Sequence, residues 1–170
     1  MDYKICTSAI ALRFKKVLTY LISDTQMGFM KGHFIGECTK LICDIIEKCD
    51  ESNILLDFEK AFDSVEWNFI RKSLEFFRFG PSIIHWFKTF YHNSESCVLN
   101  NGYLSKCFKI EWGVRQGDPL SPYLFILSVE LISAAIKFHP NINGIKIDDS
   151  EFLISQYADD STPILPITGR

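Results

Sequence analysis

Hydrophobic positions along the chain first recur at helical spacing. Ile10, Phe14, Val17, Leu18 and Leu21 recur at helical spacing, with Lys15 and Lys16 on the other side, which predicts an amphipathic helix over about the first twenty residues. The stretch SDTQMGFMKGHF interrupts it. From Cys38 onward, Leu41, Ile42, Ile45, Ile46 and Cys49 restore a helical stripe that the polar DESN ends. Ile54-Leu55-Leu56 is too short for a helix and reads as a buried strand leading into Asp57. Asp63 and Glu66 match a D-x-x-E helix start with Asp63 as the cap, followed by Trp67, Ile70, Leu74 and Phe77, with Gly80-Pro81 as a stop. A further helix is expected from Ser82 to about Tyr91. The pattern then changes to alternation: SCVLNNGYLSKCFKI has Asn101-Gly102 between two alternating runs, the signature of a β-hairpin. Beyond the loop GVRQGDPLSP, Ser121 as cap and Pro122 as first helical residue precede Leu124, Leu127, Leu131 and Ala134, and Pro140 stops that helix. After Asn143-Gly144, IKIDDSEFLISQYADDSTPIL reads as short strands joined by two acidic turns. The order predicts an α+β fold in one domain, with helices packed on one face of a small antiparallel sheet.

Composition narrows this picture. The 170 residues are 47% hydrophobic, enough to bury one sizeable core. No apolar run approaches the roughly 20 residues that span a bilayer, and the N-terminal stretch has no cleavage-type site, so the expectation is a soluble, intracellular protein with no membrane partner. The six cysteines (Cys6, Cys38, Cys43, Cys49, Cys97, Cys107) have neither zinc spacing nor the density of a disulfide scaffold, and are expected to be reduced thiols. A net charge of -3 and a pI near 5.8 speak against a strong phosphate-binding footprint over the chain as a whole.

The carboxylates carry the candidate chemistry. Asp57 follows a strand, and Asp159 and Asp160 stand at a turn between strand-like runs. Were those strands neighbours, three carboxylates would meet at one sheet edge and raise one another's pKa values, unless divalent cations turned repulsion into ligation. A few hard oxygen ligands suit Mg²⁺, which takes its remaining ligands from water and substrate phosphates. Two such ions would stabilise attacking and leaving oxygens in phosphoryl transfer. The plainer reading of adjacent aspartates is a solvated turn, and Asp148-Asp149 is read that way.

Three stretches taken together separate Asp159-Asp160 from that plainer reading. LLDFEKAFDSVEWNFI, NNGYLSKCFKIEWGVRQGDPLSPYLFILSVELISAAI and ISQYADD resemble the palm of reverse transcriptases from non-LTR (LINE-type) retrotransposons, and DYKI, RFKKVL and ISDTQMGFMKGHFIGE resemble the preceding finger segments. The resemblance runs over roughly residues 2 to 160. It implies partial helical fingers over about residues 1–52 and a palm over about 53–165, with no thumb. It further implies an RNA-directed DNA polymerase adding dNTPs to a DNA 3′ end with two Mg²⁺ ions (Mn²⁺ as a substitute). Asp57, Asp159 and Asp160 would be the metal-binding catalytic triad. Phe58, Ala61, Phe62, Gln116 and Gly117 would contact the nucleotide, with the Phe62 ring under the sugar, where it would exclude a 2′-hydroxyl. Taken alone, Phe62 is an ordinary core ring and Gln116 a turn residue. Lys31 and Arg115 would contact template or phosphate, although Arg115 reads equally as a surface ion-pair partner. Tyr157 is expected to pack beneath the turn and orient the aspartates. The implied partners are an RNA template, a DNA primer, dNTPs and an RNA-binding protein of the same element; the intact element would work in cytoplasm and nucleus.

The chain departs from the family in two places. His33 stands where relatives carry arginine, removing a permanent positive charge that Lys31 offsets in part. After Asp160, Pro163 and Pro166 each remove a ladder donor where relatives continue as an apolar strand, so the strand that should support the pair is expected to be missing. With no thumb sequence after Arg170, a catalytically silent retrotransposon remnant is the alternative reading, and a non-catalytic RNA-binding module is the third.

Overall fold

A computed structural model describes residues 2–48, 58–147 and 150–164. Asp57, the expected strand Ile54-Leu55-Leu56, Cys49, the Asp148-Asp149 pair and Pro166 lie outside those residues. The first helical stripe closes as α1 (Asp2–Leu21), which buries Ala11, Phe14 and Leu18 but leaves Val17 at 43% exposure, so its packed face is narrower than the sequence pattern. The polar, glycine-containing segment after it leads to α2 (Ile35–Lys48), which buries Cys38 and Ile45. Next come the single turn α3 (Ala61–Ser64), α4 (Trp67–Phe76) and α5 (Pro81–Tyr91). Pro81 occupies the first turn of α5, where no intrahelical donor is lost.

The alternating segment folds as a long hairpin. Its outer pair is β1 (Glu95–Ser96) with the returning β4 (Phe108–Lys109), and its inner pair is β2 (Leu99–Asn100) with β3 (Tyr103–Leu104). Asn101 and Gly102 form the loop with φ of 52° and 82°, the two positive values that a primed two-residue turn requires. Between the two pairs, Cys97 and Cys107 form a disulfide, contrary to the expectation of thiols; antiparallel pairing brings together two residues that spacing alone does not match. Cys6, Cys38 and Cys43 are free.

Helix α6 (Ser121–Lys137) follows, and every residue from Leu124 to Glu130 is buried. A helix covered on all sides belongs at the centre of a core. It packs against α1 and α4, and α4 packs against α5. Phe14, Leu18, Ile70, Leu74, Phe87, Tyr91, Phe125 and Leu127 join in one apolar cluster across those four helices. The last strands form two hairpins, β5 (Ile145–Ile147) with β6 (Ser150–Phe152) and β7 (Ile154–Tyr157) with β8 (Asp160–Pro163). Helix α2 covers β7, and Ile45, Ile145 and Ile164 make a second, smaller core there.

The α+β expectation stands, with differences of detail. Among the described residues the strands form four separate two-stranded antiparallel pairs, not one joined sheet. Asp63 lies inside α3 and caps nothing; the chain extends again at Val65 and Glu66 before α4 starts at Trp67. The cause is tertiary: Gly113 N–H donates to the Val65 carbonyl at 2.8 Å and Glu66 bridges Trp112, which holds these residues extended. Ser121 is the first residue of α6, and its predecessor Leu120 takes the cap position. The strand expected to be missing after Asp160 exists as β8: Pro163 pairs with Ile154, and Ile164 N–H donates to the Leu153 carbonyl at 2.8 Å just beyond it, so Pro163 stands at a position that owes β7 no donor. No helix among the described residues is long and apolar enough to cross a membrane.

Candidate active site

Strands β7 and β8 pair in register from Ile154 with Pro163 to Tyr157 with Asp160, which leaves Ala158 and Asp159 as a two-residue loop. Ala158 has φ of 57°, the left-handed region, and is 5% exposed. Asp159 is half-buried and Asp160 is exposed at the start of β8. The turn therefore presents two carboxylates at the end of a hairpin whose body is buried.

Asp159 opens onto a cleft of about 420 Å³ that it shares with Phe58, Ala61, Phe62 and Gln116. These are four of the five residues that the resemblance assigns to nucleotide contact, Gly117 being outside this wall, and they reach Asp159 from two other segments of the chain. Glu59, Lys60 and Asp63 complete the wall. Lys60 has φ of 51° and turns the chain sharply into α3, so Ala61 faces inward at 2% exposure.

Backbone pairing explains how Gln116 arrives there. Val114 N–H donates to the Phe62 carbonyl at 2.7 Å, and the Trp67 indole N–H donates to the Gly113 carbonyl at 2.8 Å. Gly113 has φ of 82°, and a Cβ there would come within 2.8 Å of the Asp63 carbonyl oxygen, so only glycine lets the two segments lie this close. Gln116 then donates from Nε2 to both Asp63 carboxylate oxygens, at 3.2 and 3.3 Å. The Phe62 ring stacks on Phe125 of α6 at 4.3 Å between centroids and meets the Phe29 ring edge-on at 6.3 Å. Gly117 has φ of 72° with open space where a Cβ would stand; backbone conformation calls for glycine there, not a close protein neighbour.

Arg115 takes a different place from the one expected. Its guanidinium donates to the Phe90 carbonyl and the Ser94 hydroxyl, each at 2.7 Å, and lies over the Tyr3 ring at 4.5 Å. The Tyr3 hydroxyl donates to Asp118 at 3.2 Å, and burial together with the Asp118 carboxylate pushes the Tyr3 pKa upward. Arg115 thus ties the loop to α1, to the end of α5 and to the base of the hairpin. Among the described residues it makes no ion pair, and it is not part of the wall around Asp159. Lys31 is exposed in the segment between α1 and α2 and does not line this cleft.

Sequence reasoning missed Gln26. It sits in a stretch that reads as a loop, and nothing in the hydrophobic pattern marks it. In the fold it is 1% exposed and bonds to both backbone groups of Ala158.

The described residues contain no group of three or more His, Cys, Asp or Glu poised around one point. Within them, the donors at the turn are the carboxylates of Asp159 and Asp160. Of the two, Asp159 opens onto the cleft, and a hard carboxylate oxygen is the donor type that Mg²⁺ takes. The third expected donor, Asp57, lies outside the described residues, immediately before Phe58 of the cleft wall.

The profile of the family described as reverse transcriptase (RNA-dependent DNA polymerase) matches residues 1–165. The chain is 34% identical over 164 residues to the transposon TX1 uncharacterized 149 kDa protein of Xenopus laevis, which covers 94% of this chain and 12% of that protein. It is 30% identical over 105 residues to the retrovirus-related Pol polyprotein from type-2 retrotransposable element R2DM of Drosophila melanogaster, covering 62% of this chain and 10% of the relative. It is 29% identical over 154 residues to the RNA-directed DNA polymerase from mobile element jockey of Drosophila funebris, covering 84% of this chain and 15% of the relative. The chain therefore spans a small part of the length of each of these proteins.

Proposed function

The chain belongs to the reverse transcriptase family, and from that premise we propose that it forms the palm, over about residues 53–165, and part of the fingers, over about 1–52, of an RNA-directed DNA polymerase of the non-LTR retrotransposon type. The observation that carries this reading is the shared cleft: Asp159 of the YADD turn stands in one wall with Phe58, Ala61, Phe62 and Gln116, which come from 43 or more residues away. Asp159 and Asp160, with Asp57, would hold divalent cations, Mg²⁺ by the chemistry of the donors. When bound, such ions stabilise the attacking and leaving oxygens of phosphoryl transfer.

The remaining work falls to the chain's own side chains. Phe62, braced from behind by Phe125, cannot retreat when a sugar rests against it, so a 2′-hydroxyl meets a wall. Ala61 is small and leaves the cleft open. Gln116, held by Asp63, offers its amide at the mouth. In the reaction the primer 3′-hydroxyl gives up its proton to water as its oxygen bonds to the α-phosphorus of a dNTP, the bond from that phosphorus to the oxygen bridging to the β-phosphate breaks, and pyrophosphate leaves. RNA template, DNA primer and dNTPs are the proposed partners, with an RNA-binding protein of the same element as a further one.

The test is primer extension on an RNA template with Mg²⁺, using a relative's polymerase in which residues 1–165 replace the matching segment. Asp159→Asn is expected to lower extension by about a thousandfold or more, the scale of losing a principal transition-state contact. A chimera carrying Asp159→Asn that still extended at the parent rate would refute the site. Incorporation by the 170-residue chain alone, measured against a variant with Asp57, Asp159 and Asp160 all changed to Asn, decides whether this chain is active or catalytically silent.

A further inference from the structure

We infer that Gln26 is the positioning residue of the aspartate turn: it acts as a side-chain substitute for a neighbouring strand, locking the backbone of Ala158 and through it the direction of the Asp159 and Asp160 carboxylates. This rests on the reading of that turn as a metal-binding site. The Gln26 Oε1 accepts from Ala158 N–H at 2.8 Å and from Gly28 N–H at 2.9 Å, while its Nε2 donates to the Ala158 carbonyl at 3.1 Å. Two N–H donors at one end and a carbonyl at the other leave one orientation for the amide. Only an amide side chain supplies an acceptor and a donor in one plane with the spacing of a peptide group.

The turn needs such a partner. Ala158 is in the left-handed region that residues with a Cβ disfavour, and at 5% exposure its N–H and C=O are shut off from water. Without Gln26 both groups would be buried and unpaired, and the peptide could relieve this only by rotating, which swings the Asp159 carboxylate. The approach is built from both sides. Met27 N–H donates to the Gln156 carbonyl at 2.9 Å, and Gln156 N–H donates to the Thr25 carbonyl at 2.8 Å, laying residues 25–27 parallel to β7. Gly28 then passes beneath the turn so closely that a Cβ would stand 2.2 Å from the Ala158 nitrogen. The adjacent Phe29 touches the ring of Phe62, so one short segment braces both the aspartates and the sugar wall.

The experiment uses the purified 170-residue chain and two readouts that do not require polymerisation. Mn²⁺ binding, followed by the electron paramagnetic resonance signal of the free ion, is measured for the parent, Asp159→Asn, Gln26→Met and Ser155→Ala. Gln26→Met keeps the length and apolar stem of the side chain and removes its hydrogen bonds. It is expected to weaken Mn²⁺ binding by about tenfold or more, the usual effect of losing a partner that orients a ligand. Ser155→Ala, which removes a buried hydroxyl at the far end of the same hairpin, is expected to change binding less than about twofold. Equal weakening by both variants would reduce Gln26 to general support of the hairpin, and undiminished binding in Gln26→Met would overturn the inference.

Amide hydrogen exchange of the unmodified chain, read by NMR, stands independently of whether any variant folds. Ala158 and Gly28 N–H are expected to be protected like the β7 amides, and exchange of Ala158 at the rate of an open turn would overturn the inference. Mn²⁺ binding insensitive to Asp159→Asn would refute the metal site itself, while Ala158 protection would still report on Gln26.

Discussion

Phe62 and Glu130 show how far a single side chain can be read. Phe62 is proposed as a sugar wall only through its motif, and the ring that braces it is Phe125, 63 positions later, stacked at 4.3 Å. Replacing it with a smaller side chain, Phe62→Val, is expected to raise ribonucleotide relative to deoxynucleotide incorporation by about tenfold or more in the chimera, within the range that pocket-filling groups contribute to selectivity. Competing rNTPs against dNTPs in primer extension measures this, and an unchanged ratio would place the sugar elsewhere. Glu130 stands out in no sequence pattern. It is 6% exposed on α6, accepts from the Ser23 hydroxyl at 3.2 Å, and burial raises its pKa against the smaller lowering effects of Ser23 and Lys137. As pH climbs from the ordinary carboxylate value through the raised one, the folded chain keeps a proton that the unfolded chain has lost, so Glu130 costs stability above that window. Glu130→Gln, which does not titrate, is expected to melt above the parent at pH 7 and level with it below about pH 4. Thermal melts at the two pH values check the sign.

At the scale of elements, local signals succeed where neighbours agree with them. Asn101-Gly102 sets the hairpin turn because its two positive φ values suit those residues, whatever surrounds them. The D-x-x-E start fails because Val65 and Glu66 are held extended by Gly113 and Trp112, and no local preference outweighs a backbone pairing already made. Pro163 reads as a strand breaker, but it faces Ile154 at a position where no N–H is owed to β7, and the pairing resumes with Ile164 N–H donating to the Leu153 carbonyl. The disulfide is the other element-scale surprise. Cys97 and Cys107 enclose the inner hairpin, with a sequence separation of 10. Closing a loop of that size stabilises by roughly 2–3 kcal/mol through the unfolded chain. Cys97→Ser is expected to lower stability by up to that amount in oxidising buffer and to change nothing once the parent is reduced with dithiothreitol. Urea melts under the two conditions separate these outcomes.

For the whole molecule, α6 is the axis: its buried residues Leu124 to Glu130 meet α1 and α4, and Phe125 reaches the cleft. Leu127→Ala, at a position with no exposed surface, is expected to lose about 2–5 kcal/mol by denaturant unfolding, with a cavity the surrounding helices cannot close. Most of the helices, the hairpin and the family are legible from residue order, because periodicity and motif spacing are properties of short stretches. What required the fold were the meetings: Asp159 beside Phe58, Ala61, Phe62 and Gln116, Arg115 drawn away to Tyr3, and Gln26 beneath Ala158. A polar side chain acquires its role from the groups it must satisfy once water is excluded, and those groups lie 132 residues away for Gln26 and Ala158. Residue order alone therefore singles out the candidate carboxylates, while burial of the turn they stand on, a tertiary event, decides what aims them.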